Sequence, residues 1–187
     1  MKRLLIILSL FISSFGYSQC VGTQTVTMTP AGPYQPGDVV VVEYTLWSFT
    51  QLNINWIIAF QINLGNGWCG LQPLQAPNNT GTQSGYWLWD IQNTYPSGLN
   101  FGPGWRFVNT GWQSNWGSSG TGPWTMRFQL TVCQTCTPDN LSVSMNVFGD
   151  CLTGGWSNGS CCLDPAYSIN NGVVQIITPI TSPISHY

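Results

Sequence analysis

Between Gly85 and Trp124 the chain places six of its ten tryptophans, Trp87, Trp89, Trp105, Trp112, Trp116 and Trp124, among eight glycines and almost no charge. Such a run cannot be one long helix, because each glycine in a helix interior costs about 1 kcal/mol relative to alanine. It reads as short strands joined by elaborate loops. An indole gains a large apolar contact on burial but needs a partner for its N–H. Some of these rings are therefore expected in a core braced by Asn, Gln and Ser, and others on a surface.

The remaining pattern agrees. Thr23–Thr29 alternates with a period of two, and the turn residues Pro30–Asp38 follow it. Asp38–Trp47 is β-branched and aromatic, which suits a buried strand. Asn55–Leu64 is rich in Ile and stops at Gly65-Asn66-Gly67, so it reads as a strand, and Pro73–Ser84 as a polar loop. Further strands are expected at Tyr86–Ile91 and Trp105–Asn109. Trp124–Val132 puts Trp124, Met126, Phe128, Leu130 and Val132 on one face; Leu141–Phe148 does the same with Leu141, Val143, Met145 and Val147. Tyr167–Thr178 offers one or two last strands. Seven to nine strands without a convincing helix predict an all-β fold, an antiparallel β-sandwich of immunoglobulin-like or jelly-roll-like type with long Trp- and Gly-rich loops.

The first 18 residues join a basic Met1-Lys2-Arg3 to an apolar run and a small-x-small site at Gly16-Tyr17-Ser18, the plan of a secretory signal peptide. The alternative, a lipoprotein acylated on Cys20, is disfavoured by Gln19 beside it. Residues 19–178 then form the β-sandwich domain and residues 179–187 a Pro-rich, extended tail. No second long apolar run follows, so no membrane span is expected after cleavage. The periplasm, the outer-membrane surface or the exterior is the expected location.

Seven cysteines in an exported chain point to disulfides, with Cys133, Cys136, Cys151, Cys161 and Cys162 as candidates and Cys20 or Cys69 as the one left over. Cys133 and Cys136 have the spacing of half a zinc site, but no second pair or nearby His accompanies them, and a structural bridge is expected.

Charge excludes some functions. Beyond the signal the cations are Arg106 and Arg127, too few to neutralise phosphates, so no nucleic acid is expected. Only 5% of the chain is charged, which weakens mutual repulsion and favours life in an assembly. The single histidine, His186, sits beside the terminus and does not suit a buried triad. The carboxylates are scattered. Asp38, Asp139 and Asp164 read as turn residues, and Asp150 as a loop cap rather than a calcium ligand. No catalysis, metal or cofactor is expected.

Two binding readings remain. Trp87, Trp105, Trp112 and Trp116 are candidates to stack on sugar rings, the alternative being that they fill the core. An exposed strand edge or the tail can instead join another protein by strand addition, with Val173, Val174, Ile176, Ile180 and Ile184 as candidate contacts. For Gly172–Thr178 the competing reading is the last strand of its own sheet.

Several motifs in order, Tyr34–Asp38, Asn55-Trp56, Leu64–Trp68, Trp87-Leu88-Trp89, Phe101–Phe107, Asn115-Trp116-Gly117, Pro123–Phe128, and Leu141–Val143 leading to Gly149-Asp150, resemble an uncharacterised domain of Bacteroidota surface proteins. The resemblance spans most of the mature chain. It implies a part in exported machinery associated with gliding motility and type IX secretion, with an outer-membrane or surface protein complex as partner. Family members commonly carry Asp after Asn-Trp-Gly; here Ser118 and Ser119 follow, which argues against a metal at that loop. They are usually modules of long chains ending in a sorting domain, whereas this chain shows one module and a tail, so a small component of a larger machine is expected. A non-enzymatic structural or adhesive role is the favoured expectation, and a glycan-binding module the alternative.

Overall fold

The computed structural model describes residues 21–49, 56–82, 84–91, 102–111, 116–134 and 140–150, and the backbone of a strand over 163–170. Nine strands result: β1 (Gln24–Thr29), β2 (Val39–Leu46), β3 (Ile57–Leu64), β4 (Trp68–Gln75), β5 (Gly85–Asp90), β6 (Gly104–Asn109), β7 (Trp124–Val132), β8 (Ser142–Gly149) and β9 (Leu163–Asn170). They form two antiparallel sheets, β1-β2-β7-β4 and β5-β6-β3-β8-β9. The fold is therefore an all-β sandwich. Its first sheet, and β3-β8-β9 of the second, follow the strand order of an immunoglobulin-type sandwich. The β5–β6 hairpin, which comes between β4 and β7 in the chain, widens the second sheet beside β3.

Alternation dictates the core. The even-numbered residues of β7, from Trp124 to Val132, are buried without exception, and so are Val40, Val42, Tyr44 and Leu46 on β2. From the second sheet β3 supplies Phe60 and Ile62, and β8 supplies Val143, Met145 and Val147. The sheets meet through aromatic contacts, Tyr44 on Phe60 with ring centroids 6.2 Å apart and Trp105 on Phe128 at the same distance. A fully buried apolar side chain of this size contributes roughly 1.5–3 kcal/mol.

Two expectations need correction. Pro73–Gln75, expected at the start of a polar loop, instead end β4, a strand that the sequence pattern does not predict, because β-bulges absorb the residues that look like strand breakers. The register against β7 shifts between Cys69 and Leu71, where Gly70 has a φ of 72°, and again between Pro73 and Gln75. Pro73 is tolerated because β4 is an edge strand. The last described strand starts earlier than expected, at Leu163, and ends at Asn170. Residues 171–178, the expected signal peptide and the tail lie outside the described residues.

Glycine is required where β6 crosses β3. A Cβ on Gly104 would collide with the Phe60 carbonyl oxygen, so a larger residue there would push the hairpin off the sheet. The backbone bond from the Ile62 N–H to the Pro103 carbonyl, 2.8 Å, holds the two strands at that point. No helix among the described residues is long and apolar enough to cross a membrane.

Candidate functional site: an open strand edge

β5 is one of the two outer strands of the second sheet, and its hydrogen-bonding phase follows from its neighbours. The Thr110 N–H donates to the Ser84 carbonyl at 2.8 Å, one step beyond the Gly85–Asn109 pair of the β5–β6 register. Antiparallel pairs alternate between bonded and non-bonded, so Tyr86, Leu88 and Asp90 turn their backbone groups towards β6. Gly85, Trp87 and Trp89 turn theirs away from the sheet. Among the described residues no strand pairs with that side. Three residues thus present N–H and C=O groups along an open edge.

The side chains divide the same way. Trp87 and Trp89 point inward, and Tyr86 and Leu88 point outward, 50% and 39% exposed. Beside them on β6 stand Val108, opposite Tyr86, and Arg106, opposite Leu88. The Arg106 Nε is buried without a hydrogen-bond partner. The two outer strands of the first sheet are managed differently. β4 carries Pro73, two bulges and a disulfide, all of which discourage further pairing. β1 turns the threonines Thr25, Thr27 and Thr29 outward, a polar and easily hydrated row. β5 combines a regular register, no charge from Gly85 to Trp89, and exposed apolar side chains.

The glycan candidates fall in three places. Trp87 is buried at 8% exposure, packed between Phe60 and Phe107 with centroids 5.3 and 5.2 Å away, and its Nε1 donates to the Asn79 carbonyl at 2.7 Å. Trp105 is 1% exposed beneath Trp89. These two are core, because the inner face of β5 and β6 is turned towards β7 of the opposite sheet, where Trp105 meets Phe128, and neither ring can stack on a sugar. Trp116 is half-buried and meets Trp56 edge to face at 5.3 Å. Trp112 lies outside the described residues, as do Val173, Val174, Ile176, Ile180 and Ile184. Alternation read on Gly85–Asp90 would have found Tyr86 and Leu88, since fixing Trp87 inward forces its neighbours outward.

Cys69 is not the unpaired cysteine: it is bonded to Cys133, tying edge strand β4 to the residue that follows β7. Antiparallel pairing of Cys69 with Thr131 brings the two sulfurs together across a sequence separation of 64. Cys136, Cys151, Cys161 and Cys162 lie outside the described residues. The bridge suits an oxidising compartment.

Asp38, Asp150 and Glu43 make contacts that brace the fold. Asp38 Oδ2 accepts the Gln35 N–H at 2.7 Å and closes the turn before β2. Asp150 is buried and accepts the Gly117 N–H at 2.9 Å and the Trp56 N–H at 3.3 Å, fixing two loops at one end of the sandwich. Glu43 and Arg127 pair at 3.5 Å on the outer face of the first sheet, both about half exposed, where such pairs contribute little. Among the described residues no three His, Cys, Asp or Glu side chains come together as a metal site. Tyr44 is buried and donates its hydroxyl to Gln24 Oε1 at 2.7 Å; burial pushes its phenol far above the ordinary range.

No protein-family model and no curated protein matches the chain. Among solved structures, the crystal structure of a "putative membrane anchored protein" from Corynebacterium diphtheriae is similar with a TM-score of 0.37 and 13% identity, over 82% of this chain and 37% of that one. The chain thus spans little more than a third of that protein's length.

Proposed function

We propose that this protein is a non-enzymatic structural or adhesive component of a protein assembly at the surface or outer membrane of the cell, joined to its neighbour through the edge of β5. The observation that carries this reading is the pairing of an open, uncharged strand edge with exposed Tyr86 and Leu88, above indoles sealed in the core. Strand addition supplies affinity through main-chain hydrogen bonds and register through the alternate side chains. The disulfide supports an exported protein. The signal-like N-terminus and the resemblance to surface domains of gliding and type IX secretion machinery support a place in the envelope. The core positions of Trp87 and Trp105 remove two of the rings that a glycan platform would use.

Recovery of the untagged chain by antibody from gently solubilised envelopes tests the reading. A stoichiometric envelope protein, present with the wild type and lost with Leu88→Lys in a chain that still folds and melts cooperatively, is the expected result. Recovery of the chain alone, together with glycan-array binding that disappears in Trp116→Ala, would replace assembly with a lectin-like role.

A further inference from the structure

We infer that the β5 edge is self-complementary and that its occupant is the β5 edge of a second copy of this chain, in an antiparallel two-fold dimer that joins the two five-stranded sheets into one. The inference rests on the assembly reading above and names the partner.

The phase of β5 sets the geometry. Only Gly85, Trp87 and Trp89 offer backbone groups outward, so bonded pairs across the seam must be drawn from these three. Centring the two-fold axis on Trp87 pairs Trp87 with its own copy and each Trp89 with the other copy's Gly85. The largest side chain then faces the position that has none, an arrangement in which an aromatic ring covers an edge glycine. The outer face follows without further choice. Each Tyr86 stands directly opposite the second copy's Leu88 in a non-bonded pair, where side chains approach most closely.

Those are the two exposed large apolar side chains that β5 turns outward. Other registers of the same phase do worse. Sliding one way by two residues sets Leu88 against Ser84, and sliding the other way sets Tyr86 against Asp90. In the centred register Asp90 faces Ser84, so no like charges meet, and nothing from Gly85 to Trp89 is charged. A closed two-fold contact uses the same patch on both copies and stops at two, which also removes an aggregation-prone edge.

Sedimentation equilibrium on the purified exported chain tests the inference. A dimer mass for the wild type is expected, falling twofold to the monomer in Leu88→Lys. That variant should keep the wild-type circular dichroism spectrum and melt cooperatively at a lower temperature, because it loses the stabilisation that association gives and sets a second cation opposite Arg106. In the Tyr86→Cys, Leu88→Cys double variant the paired positions have Cβ atoms about 5 Å apart, and oxidation is expected to give a covalent dimer that Tyr86→Cys alone does not form. A wild type that stays monomeric and a double variant that forms no covalent dimer would overturn self-pairing. If Leu88→Lys still abolishes recovery of another envelope protein in that case, assembly through β5 stands with a different partner; if it does not, both readings fail. A dimer that survives Leu88→Lys unchanged would likewise rule out this edge as the seam.

Discussion

The rings of Trp89 and Trp105 meet edge to face with their centroids 4.8 Å apart, and through this contact the open strand β5 is anchored to the sealed core. Trp105 in turn packs on Phe128 of the opposite sheet. Trp105→Ala is therefore expected to cost about 3–5 kcal/mol and to loosen the β5–β6 hairpin. Urea unfolding checks the first expectation, and faster amide exchange at Tyr86 and Leu88 the second. Trp116→Ala, at a half-buried ring, should cost less.

Tyr44 gives the fold an alkaline limit. Its phenolate would lose hydration in the core, so the folded state holds the proton more tightly than the unfolded chain does. A group whose folded pKa is raised contributes fully below its unfolded value and loses that contribution as pH climbs above it. Stability is expected to be insensitive to this residue below about pH 10 and to fall as pH rises further. Tyr44→Phe should flatten that alkaline fall while costing about 1 kcal/mol at neutral pH for the bond to Gln24. Thermal melts from pH 7 to 11 on both proteins read the difference.

The Cys69–Cys133 bridge closes a long loop in the unfolded chain, and its loss is expected to destabilise the fold by about 2–4 kcal/mol. Cys69→Ser with Cys133→Ser should lower the denaturant midpoint accordingly. Protease sensitivity should rise first within Trp68–Gln75, an edge strand with two bulges that loses its covalent tie to the residue after β7.

Asp150 holds the Trp56 and Gly117 amides with one carboxylate. Asp150→Ala leaves the buried Gly117 N–H unsatisfied and is expected to cost about 2–3 kcal/mol. Asp150→Asn, which keeps one acceptor, should cost less, and equilibrium unfolding of both variants orders them.

The fold was legible wherever alternation ran unbroken. On β7 and β8 the residues expected inward from sequence are the buried ones, because a period of two admits one division of faces. β4 was illegible because Gly70 and Pro73 signal a break in any local reading, and only pairing with β7 shows bulges taking them up. The disulfide was hidden for a related reason: sequence spacing separates Cys69 from Cys133, and register joins them. Which tryptophans are core could not be read from their density, since Trp105 is sealed by a sheet folded over it while Trp116 reaches the surface from a loop. The open edge needed both levels. Alternation divides Tyr86 and Leu88 from Trp87 and Trp89, but only the sheet order places β5 outermost.

Residue-resolved hydrogen exchange on β5, in the isolated monomer and in the assembled state, tests assembly through this edge most directly. The amides of Tyr86 and Leu88, bonded to β6, should be protected in both states, whereas those of Gly85, Trp87 and Trp89 should exchange quickly in the monomer and slow at least tenfold on assembly. Unchanged exchange at Trp87 and Trp89 in the assembled protein would contradict the account, because a strand added to this edge must capture those two amides.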